Sequence, residues 1–193
     1  SMLSSYQQEK DEQNYVFISL CEVSPGTILV GGYMSGMYRI NKKDMIPHYF
    51  SPQNEGYTSI RPDKYIRSIY RDEEGYIWAG GYYNLKRIHP KTYDMEHYTM
   101  EYPVTFITSK NQDELWIGTT GGLFKFDKRQ KKILQVNLSS DIGSINTIYQ
   151  DGNQTTYIGT SGNGLFIYDN QNENLENYQI SNAALLCNNI YCI

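Results

Sequence analysis

The sequence predicts an all-β chain: β-propeller blades of four antiparallel strands, about four full blades with partial strands at both ends. Three observations predict it. A large residue followed two positions later by a glycine recurs as Leu29/Gly31, Trp78/Gly80, Trp116/Gly118 and Tyr157/Gly159. These anchor glycines are 49, 38 and 41 residues apart, the period of a small repeated unit rather than of one continuous fold. Nineteen tyrosines and six phenylalanines against sparse alanine favour strands, and no ten-residue stretch carries a helical period of apolar residues.

Each unit divides into the same four elements. An apolar run opens it: "YVFISL" (15–20), "YIRSIY" (65–70), "VTFITS" (104–109) and "INTIYQ" (145–150). A turn of Pro, Gly, Asn or Asp follows, such as Ser24-Pro25-Gly26 or Asp151-Gly152-Asn153. The second run carries the large residue and ends at the anchor glycine. The third is "MYRI", "LKRI", "LFKF" or "LFIY", and a polar hairpin leads to a weak fourth run. Inner strands covered on both faces read as continuous apolar runs, and a half-solvated outer strand reads as polar. The blades are expected at about 15–50, 64–98, 102–136 and 144–180, with 188–193 starting a further blade and an insertion at roughly 51–63. The partial strands predict an open arc cut from a larger propeller, whose uncovered blade edges favour self-association of two chains.

The bulk composition limits the function classes. At 193 residues, 39% hydrophobic and 20% charged, the chain can bury a core and is not of disordered type. A net charge of −4 argues against a nucleic-acid partner, which needs a basic patch. No apolar run approaches the roughly 18 residues of a membrane span, so this segment is not expected to insert in a membrane. No signal peptide opens the chain, and Ser1-Met2 reads as a tag scar. Cys21, Cys187 and Cys192 show no metal or redox spacing and read as buried or incidental thiols.

Residues that could carry chemistry are accounted for by their repeat position. The glycine-rich bends Gly31-Gly32, Gly80-Gly81, Gly121-Gly122 and Gly162-Asn163-Gly164 lack the Lys-Ser/Thr and helix of a phosphate loop. They read as tight connections needing positive φ, with Asn84 standing in for a glycine. Asp72, Asp127, Asp151 and Asp169 recur at hairpin positions and read as turn caps. His48, His89 and His97 share no metal spacing, and His89 occupies a turn position held elsewhere by Asp. Trp78 and Trp116 read as packing between blades. No catalytic residue, metal site or cofactor is expected.

The pattern I-x-x-I-x-x-D-x-x-G-x-hydrophobic-W-I-G-T-x-x-G-L-x-x-F-D resembles the two-component regulator propeller repeat. Its best copy here is Trp116, Ile117, Gly118, Thr119, Gly121, Gly122, Leu123, Phe124, Phe126 and Asp127. A second copy holds Ile66, Ile69, Asp72, Gly75, Trp78 and Gly80, and a third holds Ile145, Ile148, Asp151, Gly159, Thr160, Gly164, Leu165 and Asp169. The resemblance implies the periplasmic sensor region of a hybrid two-component histidine kinase, with an oligosaccharide held over one propeller face. It implies a sensor and not an enzyme, since no kinase-like sequence lies in these residues.

Function on a repeat scaffold is expected where the repeats differ, in the loops. The face bearing the bends between second and third strands holds Tyr33, Tyr82, Tyr83 and Asn84, where better-matching units have Thr or Ser. The insertion adds Tyr57 and Arg61 on the same face. These six are the candidate ligand-binding residues, because tyrosine offers an apolar face to a sugar ring and Arg or Asn offers hydrogen bonds. The alternative is a structural or protein-interaction propeller with no small-molecule ligand.

Overall fold

The computed structural model describes residues 16–50, 64–152, 154–182 and 185–193. Among the described residues there is no helix, and sixteen strands form four separate four-stranded antiparallel sheets. The first sheet is β1 Val16–Ser24, β2 Thr27–Tyr33, β3 Gly36–Asn41 and β4 Pro47–Tyr49. The second is β5 Ser68–Arg71, β6 Ile77–Gly80, β7 Asn84–Ile88 and β8 Met95–Thr99. The third is β9 Val104–Ser109, β10 Glu114–Thr119, β11 Gly122–Asp127 and β12 Lys132–Gln135. The fourth is β13 Ile145–Asp151, β14 Thr155–Thr160, β15 Leu165–Asp169 and β16 Leu175–Tyr178. Strands pair in chain order within each sheet, so every connection inside a blade is a hairpin. The insertion 51–63, with Tyr57 and Arg61, lies outside the described residues.

The core sits between consecutive sheets, in three clusters. Leu29, Met37, Ile66, Ile69 and Ile77 join the first two blades. Trp78, Leu85, Val104, Leu115 and Phe126 join the second and third. Trp116, Leu123, Ile145, Ile158 and Phe166 join the third and fourth. Both tryptophans are therefore packing residues. The burial gradient follows from this stacking: β6 is buried at all four positions, whereas β4 is exposed at all three. The exception is β1, where Phe17, Ile18 and Leu20 are exposed because no described blade covers that side.

The anchor glycines have a packing cause, which corrects the conformational reading of Gly31 and Gly80. None of Gly31, Gly80, Gly118 and Gly159 has positive φ. Each instead receives the β-branched side chain that opens the next blade. A Cβ on Gly31 would lie 2.4 Å from Ile66 Cγ2, and one on Gly80 would lie 2.3 Å from Val104 Cγ1. On Gly118 it would meet Ile145 Cγ2 at 2.8 Å, and on Gly159 Ile190 Cγ2 at 2.7 Å. Ile66, Val104 and Ile190 also donate their backbone N–H to the carbonyls of Gly32, Gly81 and Thr160. Asn84 is likewise not left-handed: it starts β7 and pairs with Thr99. Positive φ in these bends falls on Met34, Gly36, Gly122, Gly162 and Gly164.

Charge ties the hairpins within blades. Glu114, at the start of β10, lies 2.7 Å from Lys110 Nζ and 2.9 Å from Lys125 Nζ, and accepts a hydrogen bond from Asn111. Burial pushes its carboxyl up, but the bonds from Lys110, Lys125 and Asn111 outweigh this and hold it at about 2, against its ordinary 4.5. A depressed carboxyl stabilises the fold above its unfolded value and loses that contribution as pH falls through its folded value. Stability should therefore drop from pH 4.5 toward about 2. Glu114→Gln should flatten that part of the urea-midpoint profile; an unaltered profile would assign the acid sensitivity to other groups.

Candidate functional site

The start of each innermost strand sits on the same face as the bends between second and third strands. The register Ser19↔Gly31 and Ser68↔Gly80 makes Val16 and Ile18 the counterparts of Tyr65 and Arg67. Residues i and i+2 of a strand share a side. Of the residues between them, Ile66 packs on the anchor glycine Gly31, and Phe17 is its counterpart in the first blade. Val16, Ile18, Tyr65 and Arg67 accordingly line a cavity of about 510 Å³ together with Tyr33 at the end of β2 and Tyr82 before β7. Pro103 and Thr120 close its far side.

The tyrosines form a contiguous array. Tyr65 stands edge-on to Tyr33 with ring centroids 4.8 Å apart, and lies 5.2 Å from Tyr82. Tyr82 in turn meets Tyr83 at 5.0 Å, again edge-on. Such spacings suit the ring quadrupoles and fix the array with one ring supporting the next. The Tyr65 hydroxyl contacts Met34 Sδ at 2.8 Å. Desolvation, followed by the neighbouring Tyr33 and Tyr82 hydroxyls, pushes Tyr65 above the ordinary phenol range. It is thus a neutral donor and acceptor at physiological pH.

Of the residues expected from the sequence, Tyr33 and Tyr82 line this cavity. Tyr83 is exposed beside Tyr82. Asn84 points its Oδ1 into a buried position with no hydrogen-bond partner among the described residues, and does not line the cavity. Tyr57 and Arg61 lie outside the described residues. The structure adds Val16, Ile18, Tyr65 and Arg67. Tyr65 and Arg67 were readable as a signal: they are the bulky and charged members of "YIRSIY", flanking the packing residue Ile66.

The other candidates serve the scaffold. Asp127 Oδ1 accepts the N–H groups of Arg129 and Gln130, and Asp169 Oδ1 those of Gln171 and Asn172. His89 does the same through Nδ1, from Lys91 and Thr92. Asp72 does more than cap a turn. It is buried, accepts from Tyr76 N and Trp78 Nε1, and is ion-paired with Lys128 of the next blade at 3.3 Å. Among the described residues no three His, Cys, Asp or Glu side chains cluster as metal ligands, and no helix is long and apolar enough to cross a membrane. Cys187 and Cys192 are exposed free thiols and Cys21 is a half-buried one. A second cavity of about 690 Å³, on the opposite face, is lined by polar residues such as Lys110, Asn111 and Gln150 and holds no comparable aromatic array.

Residues 60–83, running from before β5 to the bend at Tyr82-Tyr83, match the family model described as two component regulator propeller. The chain carries a two component regulator propeller repeat. The matched span includes Tyr65, Arg67 and Tyr82, so part of the cavity wall lies on that repeat. No match is found among the curated proteins. Two solved structures of the extracellular domain of BT4673 from B. thetaiotaomicron align with a TM-score of 0.73 at 24% identity. One names that protein a one component system and the other a hybrid two component system. The chain is covered to 91% and spans 24% of the length of that domain. The U3-55K structure aligns with a TM-score of 0.67 at 6% identity, covering 84% of this chain and 51% of that one. The RRP9 WD40 repeats align at 0.68 and 7%, covering 86% and 51%. At these identities the structures establish the propeller fold alone.

Proposed function

We propose that these blades are a ligand-sensing part of the periplasmic propeller of a two-component sensor, and that they recognise an oligosaccharide over the tyrosine-lined face. The observation that carries the reading is the array Tyr33–Tyr65–Tyr82 around a cavity of about 510 Å³. Those tyrosines lie where the repeats depart from one another, so the blade itself does not require them. Their rings offer apolar faces to the C–H side of a pyranose, and their hydroxyls offer hydrogen bonds. The volume is within the range of small-ligand sites. The two component regulator propeller repeat, and the resemblance to an extracellular domain named a hybrid two component system, support the sensing and periplasmic parts. A kinase would belong to another part of the whole protein.

A thermal-shift screen of neutral and charged glycans should find stabilising ligands. Tyr65→Ala and Tyr82→Ala should each weaken the best of them by roughly 10-fold, the scale of one lost aromatic contact. Silence across the whole panel would favour a structural or protein-interaction propeller. Binding that is unaltered in both variants would move the site off this face.

A further inference from the structure

Among the described residues, Arg67 is the one charged residue lining the tyrosine cavity. Its guanidinium has neither an ion-pair nor a hydrogen-bond partner among the described residues. Two of the other described arginines meet carboxylates: Arg87 lies 3.6 Å from Glu74 and 3.7 Å from Glu96, and Arg129 lies 2.8 Å from Asp113. The blade does not call for arginine at this position. By register, the same slot is Ile18 in the first blade, Thr105 in the third and Asn146 in the fourth. The Arg67 backbone makes the ladder bond to the Gly80 carbonyl, which any residue but proline could make.

We propose that the ligand of this cavity is an anionic sugar, whose carboxylate or sulfate is held by the Arg67 guanidinium while its ring lies against the tyrosines. This rests on the carbohydrate reading above and narrows it. A guanidinium presents paired N–H donors that match the two oxygens of a carboxylate or sulfate, and such charge-assisted bonds are the strong ones. Val16, Ile18, Pro103 and the tyrosine rings are apolar walls, and among the described residues no acidic side chain lines the cavity to compete for Arg67 or repel the anion. Low-dielectric walls strengthen the attraction. Tyr65 is held as the neutral phenol and so adds no opposing charge. The chain as a whole carries −4, so capture of an anion has to be local to this arginine.

The test compares three probes by isothermal titration calorimetry: trigalacturonate, a sulfated galactotriose and neutral galactotriose. At least one of the anionic probes should bind about 10-fold or more tightly than the neutral one, and its affinity should fall with added salt. Whichever anion binds better identifies the group as carboxylate or sulfate. Arg67→Ala should remove on the order of 10- to 100-fold of that affinity together with the salt dependence. Arg67→Lys should restore a part, keeping the charge but not the paired geometry. Neutral galactotriose binding as well as the anions, with Arg67→Ala without effect, would overturn the anionic assignment and leave the carbohydrate reading standing. Failure of all three probes to bind would overturn both.

Discussion

Asp72→Ala should lower stability by about 3–5 kcal/mol, the cost of removing one partner of a buried ion pair. Three groups depend on this carboxylate. Trp78 Nε1 donates to Oδ2 at 2.8 Å, the Tyr76 N–H donates to Oδ1 at 2.9 Å, and Lys128 Nζ sits 3.3 Å from Oδ2. The side chains of Lys128 and Asp72 are 7% and 1% exposed, so neither regains water when the other is removed. Alanine would leave an uncompensated ammonium and an unsatisfied indole N–H at the boundary of two blades. Trp116, the counterpart of Trp78 one blade on, has no partner for its Nε1 among the described residues and stays buried, so the indole bond is the smaller part. The charge is the larger. Asp72→Asn should therefore cost most of the same amount, and Asp72→Ala with Lys128→Met should be less damaging than Asp72→Ala alone. Urea unfolding of the four proteins measures this. A loss under about 1 kcal/mol for Asp72→Ala would mean that Lys128 reaches water some other way.

The blade pattern was readable because each of its signals has one local cause. Turn residues such as Asp127 act on backbone two and three residues away, and apolar runs such as "LWIG" report burial on both faces. Of the anchor glycines, Gly31 and Gly80 read as turn residues because sequence does not separate a glycine kept for its φ from one kept for the space above its Cα. That space is defined by Ile66, Val104, Ile145 and Ile190, each about 30 residues further along the chain. Asp72 misled for the same reason: its turn is local, but Lys128 arrives from the next blade. The candidate site was half legible. Tyr33 and Tyr82 break the repeat in a bend, where a departure stands out. Tyr65 and Arg67 break it inside an apolar run, and only the register shows that they point away from the blade core that Ile66 enters.

Gly80→Ala is expected to destabilise by about 1–3 kcal/mol, although glycine to alanine in an ordinary strand should gain roughly 0.5–1 kcal/mol. Two effects compete. Alanine restricts the unfolded chain, which favours folding. The added methyl, however, would sit 2.3 Å from Val104 Cγ1, 2.8 Å from its Cβ and 3.2 Å from Ile107 Cδ1. Val104 is β-branched, fully buried, and tied by its backbone N–H to the Gly81 carbonyl 3.0 Å away. It has few ways to move, so the clash is relieved only by shifting one blade against the next. The gain is smaller than the overpacking cost, and the sign follows. Shortening the neighbour discriminates this account from one based on backbone conformation. In the double variant Gly80→Ala/Val104→Ala the methyl fills space that the valine vacates, so the two losses should be less than additive by about 0.5–3 kcal/mol. Strict additivity would show that Gly80 is held by something other than the valine above it.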